Sequence, residues 1–407
     1  MIKITHPTKV VKGSVTLPAS KSLSNRALII QALCGEPFAI ENISTAEDTV
    51  VLQKALQDKK GKVDVGDAGT AMRFALAYFA TQDKETTISG SERMHQRPIG
   101  PLVDALRDMG ADITYLKNEG FAPVKVKGST RLRNSVSVKS DVSSQFISAL
   151  MLIGPAIGGL SIKLLGTPAS FSYIEMTAAL MEHFDVSVEF KGSFVVVKGT
   201  YSNNDYTVES DWSAASYFFE IAALAQQANI YIEKLPWYSI QGDSAVASLY
   251  QGLLGVSSGA KFNGVLAVKG EYEPDMDEEY DFADLPDMAQ TVAATAAGLQ
   301  MTFNLTGLQT LKLKETDRIA ALKSELEKTG VAVTTGDDWL TVKPAGKATK
   351  PSTVKFAAHN DHRMAMALAP LALVLDEVMI DDETVVKKSF PNYWDELKKL
   401  GFEITTV

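Results

Sequence analysis

Six stretches of the chain are apolar on nearly every face. They begin near Ser20, Gly69, Ser143, Asp211, Pro286 and Asn360; Ala71-Met-Arg-Phe-Ala-Leu-Ala-Tyr-Phe-Ala80 and Met364-Ala-Met-Ala-Leu-Ala-Pro-Leu-Ala-Leu373 are typical. A helix with no polar face belongs inside a domain. Each stretch opens on Ser, Gly, Asp, Pro or Asn, residues that start helices. A second set of six is amphipathic and runs through a turn into a strand. Leu102 to Ile113, Ile319 to Val333 and Tyr393 to Ile404 are clear cases, Leu180 to Val188 and Leu249 to Gly255 repeat them, and Leu52 to Val65 does so weakly. Glycine ends several of these helices, where it takes a left-handed turn cheaply. Short alternating runs such as Phe194 to Lys198 and Lys261 to Lys269 read as strands.

Two helices and a few strands thus recur about every seventy residues, six times. The expected fold class is α/β, with two similar domains of three βαβαββ-type units each. The first unit is short. Only Lys62 to Val65 separates its amphipathic helix from Gly66-Asp-Ala-Gly-Thr70, so a hairpin is expected to be missing there.

The first buried helix shows how the stretches open. Pro18 closes a β-like run over Val11 to Leu17, and Ser20 can cap a helix beginning at Lys21. Leu23, Ala27, Ile30 and Cys34 share its core face, which predicts a buried, inert thiol for Cys34. Ser22 and Arg26 lie four apart on the other side. A free helix N-terminus, a hydroxyl and two cations together favour an anion.

Composition sharpens that reading. The 407 residues are 45% hydrophobic and 22% charged, as in ordinary globular enzymes. The net charge of −9 argues against nucleic-acid and anionic-membrane partners. Basic clusters in an acidic chain therefore point to local anion sites. With one cysteine there is neither an intramolecular disulfide nor a cysteine-based metal cluster. The N-terminus lacks a signal-peptide core and no apolar run is long enough for a bilayer, so a cytoplasmic location is expected.

The same construction recurs along the chain. Gly66-Asp-Ala-Gly-Thr-Ala-Met-Arg73 is a glycine-rich turn into a helix, but no Lys-Ser/Thr follows the second glycine as a Walker A loop needs. Arg93 and Arg97 precede a helix near Pro98. Ser143, Ser144 and Gln145 open a buried helix with two hydroxyls and an amide, and Ser170 to Tyr173 open another. Lys314, Glu315 and Arg318 crowd a helix N-terminus, where two cations are unfavourable without an anion. Arg363 lies in the first turn of an apolar helix, Lys388 precedes a helix, and Asp287 opens one. Each alone is explained by capping or a solvated charge. Jointly they suit substrates carrying phosphates and carboxylates, with acid–base residues between.

Leu17–Leu33, Arg93–Gly110, Lys314–Arg318 and Asn360–Met364 together resemble the enolpyruvyl transferase family, in its shikimate-pathway branch, and the resemblance runs from Leu17 to Tyr393. It implies domains over 18–212 (shikimate 3-phosphate side) and over 1–17 plus 213–407 (phosphoenolpyruvate and acid–base side). It implies transfer of the enolpyruvyl group of phosphoenolpyruvate to the 5-hydroxyl of shikimate 3-phosphate, releasing phosphate. The route is a metal-free addition and elimination serving chorismate and aromatic amino acid biosynthesis. No cofactor is implied, the partners are the two small substrates, and a monomer is expected.

Residue by residue, the resemblance assigns Lys21, Gly69, Arg97, Gln145, Arg318, Arg363 and Lys388 to phosphoenolpyruvate. It assigns Lys21, Ser22, Arg26, Ser143, Ser144, Gln145, Ser170, Tyr173, Asp287 and Lys314 to shikimate 3-phosphate. Asp287, Glu315 and Lys21 are the implied catalytic residues, Asp287 toward the 5-hydroxyl and Glu315 toward the methylene carbon. Gly69 at the pocket wall implies inhibition by glyphosate, which a Gly69→Ala change should relieve far more than it harms phosphoenolpyruvate use. The chain departs from the family pattern in having Asp67 for Asn, Phe74 for Pro and Thr310 for Asn. Two other readings stand beside this one. A UDP-N-acetylglucosamine enolpyruvyl transferase usually carries a reactive Cys or Asp in a mobile loop, and the only Cys here is in a helix. A non-catalytic anion-binding protein would not need Asp287 and Glu315 beside the cations.

Overall fold

A computed structural model describes residues 1–270, 277–346 and 351–407. The chain divides into two compact units, residues 19–208 and residues 1–18 with 209–407.

In the 19–208 unit one pattern appears twice in full. The strand Lys62–Asp64, helix Gly69–Ala80, strand Glu85–Ser89, helix Gly100–Met109 and strands Asp112–Tyr115 and Val124–Lys127 form the first copy. The first two strands are parallel and the hairpin adds antiparallel to the second. The second copy runs from Ser135–Lys139 to Phe194–Lys198 with the same strand order. The third set of elements is truncated. Helices Lys21–Leu33 and Glu47–Leu56 flank the strand Ile40–Glu41, which pairs with Tyr206–Thr207 as the chain returns from the end of the unit. Among the described residues the expected hairpin is absent. Instead, the Asp58 carboxylate accepts from Gly61 N at 2.6 Å and Lys62 N at 3.2 Å, turning the chain into the next sheet.

The other unit contains three complete copies, and the N-terminal segment supplies a strand to two of them. Val10–Thr16 lies parallel to Gln227–Glu233. Ile2–Thr5 lies antiparallel between Glu377–Ile380 and Glu403–Thr406. Ile2 and Ile4 are buried in that register while Lys3 and Thr5 are not, the alternation a half-buried strand requires. The middle sheet runs from Asp277–Asp281 to Leu340–Pro344.

The all-round apolar stretches are the interior helices. All thirteen residues of Trp212–Leu224 are buried, as are ten of the twelve in Gly69–Ala80. The amphipathic helix Gly100–Met109 ends on Gly110 at φ 108°, a left-handed turn that glycine takes without strain. Among the described residues no helix is long and apolar enough to cross a membrane.

Two local expectations fail. Cys34 is half-buried because the helix ends there: it is the C-cap in extended conformation, with Sγ 3.8 Å from Tyr201 O. Lys261 to Lys269 is a hairpin rather than one strand, with Val256–Lys261 paired to Gly264–Lys269 across Phe262 and Asn263.

Candidate active site

In the 19–208 unit the polar groups predicted from sequence gather at helix starts. Lys21 is the first residue of its helix, capped by the Ser20 side chain accepting from Leu23 N. Its ammonium lies 3.1 Å from Asp48 Oδ2. Asp48 was not among the predicted residues; the only signal was an acidic pair, Glu47-Asp48, opening an amphipathic helix. Four residues on from Ser22, Arg26 donates to its carbonyl oxygen at 2.9 Å and to the Tyr173 carbonyl at 3.2 Å, which ties Ser22, Arg26 and Tyr173 together. Ser143 caps the helix Ser144–Ile153. Gln145 Nε2 donates to Thr70 Oγ1 at 3.2 Å and so joins that helix to the one beginning at Gly69. Ser170 precedes the helix Phe171–His183 with φ 54°, a left-handed conformation that costs a non-glycine residue energy and that functional sites often hold.

Gly69 and Arg97 are in contact. A Cβ built on Gly69 would fall 2.5 Å from Arg97 Nη2, and Arg97 Nη1 donates to the Asp67 carbonyl at 3.3 Å. Arg73, another residue without a predicted role, is buried and bonds the Gly69 carbonyl at 3.0 Å and the Pro98 carbonyl at 2.9 Å. It thereby fixes the Arg97-Pro98 segment to the Gly69 helix. The Asp67 carboxylate accepts a hydrogen bond from Ser91 Oγ.

The other unit holds a dense charge network. Arg318, 1% exposed, begins the helix Arg318–Leu326. Its Nε and Nη2 donate to the two oxygens of Asp361 at 2.7 and 3.2 Å, Nη2 also to Glu315 at 2.9 Å, and Nη1 to Asp287 at 3.2 Å. Arg363 Nη2 donates to Asp287 Oδ2 at 2.8 Å and to Ser213 Oγ at 3.2 Å. Lys314 lies 3.6 Å from Asp287, and Lys388 3.0 Å from Glu315. The unit thus brings together six of the predicted residues and two more of its own, Asp361 and Ser213. The protein itself supplies carboxylates to the cations at these helix starts, which changes the expectation that only a ligand could. Asp361, fully buried, also caps the helix His362–Leu368 by accepting from Arg363 N. His359 and Asn360 precede it with φ 52° and 54°, two consecutive strained residues. His359 Nε2 is held 2.8 Å from Glu325 Oε1.

The electrostatics follow from this packing. Burial pushes the Asp287 pKa up, but Arg363, Lys314 and Arg318 outweigh it and hold the carboxyl far below its usual range. Burial works against the charge of Arg318, and Asp361, Glu315 and Asp287 more than restore it. Thr310 is buried and its hydroxyl meets no partner among the described residues.

Comparison with known proteins gives a consistent picture. The family model described as EPSP synthase (3-phosphoshikimate 1-carboxyvinyltransferase) matches residues 5–63 and 51–397. A 3-phosphoshikimate 1-carboxyvinyltransferase of Bacteroides fragilis is 44% identical over 398 residues, 97% of this chain and 96% of that one. One from Ralstonia nicotianae is 36% identical over 423 residues, covering 95% and 97%. In fold, the chain is similar to an EPSP synthase structure from Acinetobacter baumannii, with TM-score 0.79, 20% identity and full coverage of both chains.

Proposed function

The chain belongs to the EPSP synthase family of carboxyvinyltransferases, and on that premise we propose that it transfers the enolpyruvyl group of phosphoenolpyruvate to the 5-hydroxyl of shikimate 3-phosphate. The observation that carries this reading is the network of Asp287, Glu315 and Asp361 with Lys314, Arg318, Arg363 and Lys388. Four cations held by three carboxylates leave a surplus positive charge for a phosphate or carboxylate, with acids and bases already beside it.

In this reading the 5-hydroxyl oxygen bonds to C2 of phosphoenolpyruvate, C3 gains a proton, and the hydroxyl loses one. The tetrahedral intermediate then loses a proton from C3 and phosphate from C2, regenerating the double bond. Asp287 serves as base toward the hydroxyl and Glu315 as acid, then base, at C3; Lys21 assists proton transfer. Lys21, Gly69, Arg97, Gln145, Arg318, Arg363 and Lys388 serve phosphoenolpyruvate. Lys21, Ser22, Arg26, Ser143, Ser144, Gln145, Ser170, Tyr173, Asp287 and Lys314 serve shikimate 3-phosphate. The unit over residues 19–208, expected from sequence as 18–212, then serves as the shikimate 3-phosphate domain, and the unit over 1–18 and 209–407, expected as 1–17 plus 213–407, as the phosphoenolpyruvate and acid–base domain.

The depressed pKa of Asp287 makes it a weak base in the unliganded protein. Substrate anions that take over Arg363 and Lys314 would release its carboxylate and raise its basicity when both substrates are bound. The decisive experiment is phosphate release from phosphoenolpyruvate with shikimate 3-phosphate or UDP-N-acetylglucosamine as acceptor. Release with the first alone is expected. Release with the second alone, or with neither, overturns the proposal.

A further inference from the structure

Arg26 differs from the buried Arg318 and Arg363 in what surrounds it. It is 2% exposed, and its N–H groups go to neutral oxygens only: Thr177 Oγ1 at 2.7 Å, the Ser22 carbonyl at 2.9 Å, Ser148 Oγ at 3.2 Å and the Tyr173 carbonyl at 3.2 Å. No carboxylate pairs with it among the described residues, whereas Arg318 has three. Burial accordingly pulls the Arg26 pKa down to about 10. A buried cation without a counter-ion is costly unless something else favours its charge.

Beside the four hydrogen bonds, Arg26 has one further contact of that kind, with Phe74. Its ring centroid lies 5.4 Å from Arg26 Cζ, and the ring is 1% exposed. It belongs to the helix Gly69–Ala80, five residues after Gly69. An aromatic face is the negative end of a quadrupole and attracts a guanidinium most strongly where water is excluded. The four hydrogen bonds fix the ends of the guanidinium fork, and the ring sits over its carbon.

We infer that Phe74 is a positioning residue for Arg26: its π face offsets the uncompensated charge and holds the guanidinium ready for the anion of shikimate 3-phosphate. The inference rests on the proposed substrate. A proline at position 74, as in the family pattern, has no such face, so this support is particular to an aromatic residue there.

Two variants test it. Phe74→Leu removes the ring. Replacement of Phe74 by 3,4,5-trifluorophenylalanine keeps the ring's shape and withdraws its quadrupole. Binding of shikimate 3-phosphate is measured by calorimetry, and KM for phosphoenolpyruvate by steady-state kinetics. Shikimate 3-phosphate affinity should fall about 3- to 30-fold in both variants, while KM for phosphoenolpyruvate stays within about 2-fold. A trifluoro variant that binds as tightly as the wild type overturns the inference even if the leucine variant is impaired, because packing alone would then account for Phe74. Parallel loss for both substrates overturns it too. Failure of the wild type to bind shikimate 3-phosphate at all removes the proposed substrate, and this inference with it.

Discussion

The Arg97 guanidinium occupies the space that a side chain on Gly69 would need. A Cβ there would stand 2.5 to 2.8 Å from three guanidinium atoms. Gly69 has no left-handed φ, so an alanine fits the helix itself, and the long Arg97 side chain is what must yield. Gly69→Ala should therefore fold normally but displace Arg97. The expected result is a rise in KM for phosphoenolpyruvate of ~10- to 100-fold, the worth of a charge-assisted hydrogen bond. Glyphosate inhibition should weaken at least as much, since its anionic groups would meet the same arginine. This differs from the sequence-based expectation that phosphoenolpyruvate use is largely spared. Steady-state kinetics at varied phosphoenolpyruvate and glyphosate checks it; an unchanged KM would show that Arg97 does not bind phosphoenolpyruvate.

Asp287 makes a prediction about acid. Its folded-state pKa is depressed below the ordinary 3.8, so its ionisation stabilises the fold at pH values above that figure and the contribution drains away as pH falls further. Asp287→Asn should flatten this part of the acid dependence in denaturant unfolding. The catalytic profile should split as well. If substrate anions relieve the cations around Asp287, its titration belongs to the liganded enzyme and appears in kcat rather than in kcat/KM. An acid limb of equal pKa in both profiles counts against that release.

The sequence carried the architecture because both helix types advertise themselves. An interior helix such as Trp212–Leu224 must be apolar all round, and an outer helix such as Gly100–Met109 must be striped. The missing hairpin was visible as a shortage of residues before Gly66. The counter-ions were harder to see. Asp48 and Asp361 read as ordinary first-turn or capping acids, and only tertiary packing sets them against Lys21 and Arg318. The turn at Phe262-Asn263 was hidden because Phe262 is an uncommon residue for φ 52°. Cys34 looked buried because periodicity says nothing about where a helix stops.

Glu220 lies in the middle of an interior helix, fully buried, with neither oxygen hydrogen-bonded among the described residues. Burial pushes its pKa well above the ordinary 4.5. Between the ordinary 4.5 and that raised value, the folded state therefore keeps the acid neutral while the unfolded chain ionises it. Its full contribution is present below pH 4.5 and is lost as pH rises toward the folded-state value. The slope in that window is about 1.4 kcal/mol per pH unit. Glu220→Gln removes the slope, so in urea unfolding its stability should gain on that of the wild type as pH rises above the ordinary 4.5. Parallel pH dependences for the two proteins would mean that Glu220 is not held neutral.

Asp361 performs two tasks that substitution can separate. Its carboxylate grips Arg318 through both oxygens, and one of those oxygens also accepts from Arg363 N at the helix start. Asn can still cap the helix but cannot answer the charge of Arg318. Removing one partner of a buried ion pair leaves the other desolvated and uncompensated, at a cost on the order of 3 kcal/mol. Glu315 and Asp287 remain on Arg318, so the loss should sit at the low end of what buried pairs give. Asp361→Ala should lose about 1 kcal/mol more, the worth of the cap. Under the proposed function, both variants also free Arg318 to turn away from phosphoenolpyruvate, so KM for that substrate should rise while shikimate 3-phosphate binding holds. Urea unfolding and substrate-by-substrate kinetics read the two effects apart. An Asp361→Asn protein as stable as the wild type would show that Glu315 and Asp287 alone suffice to hold Arg318 in place.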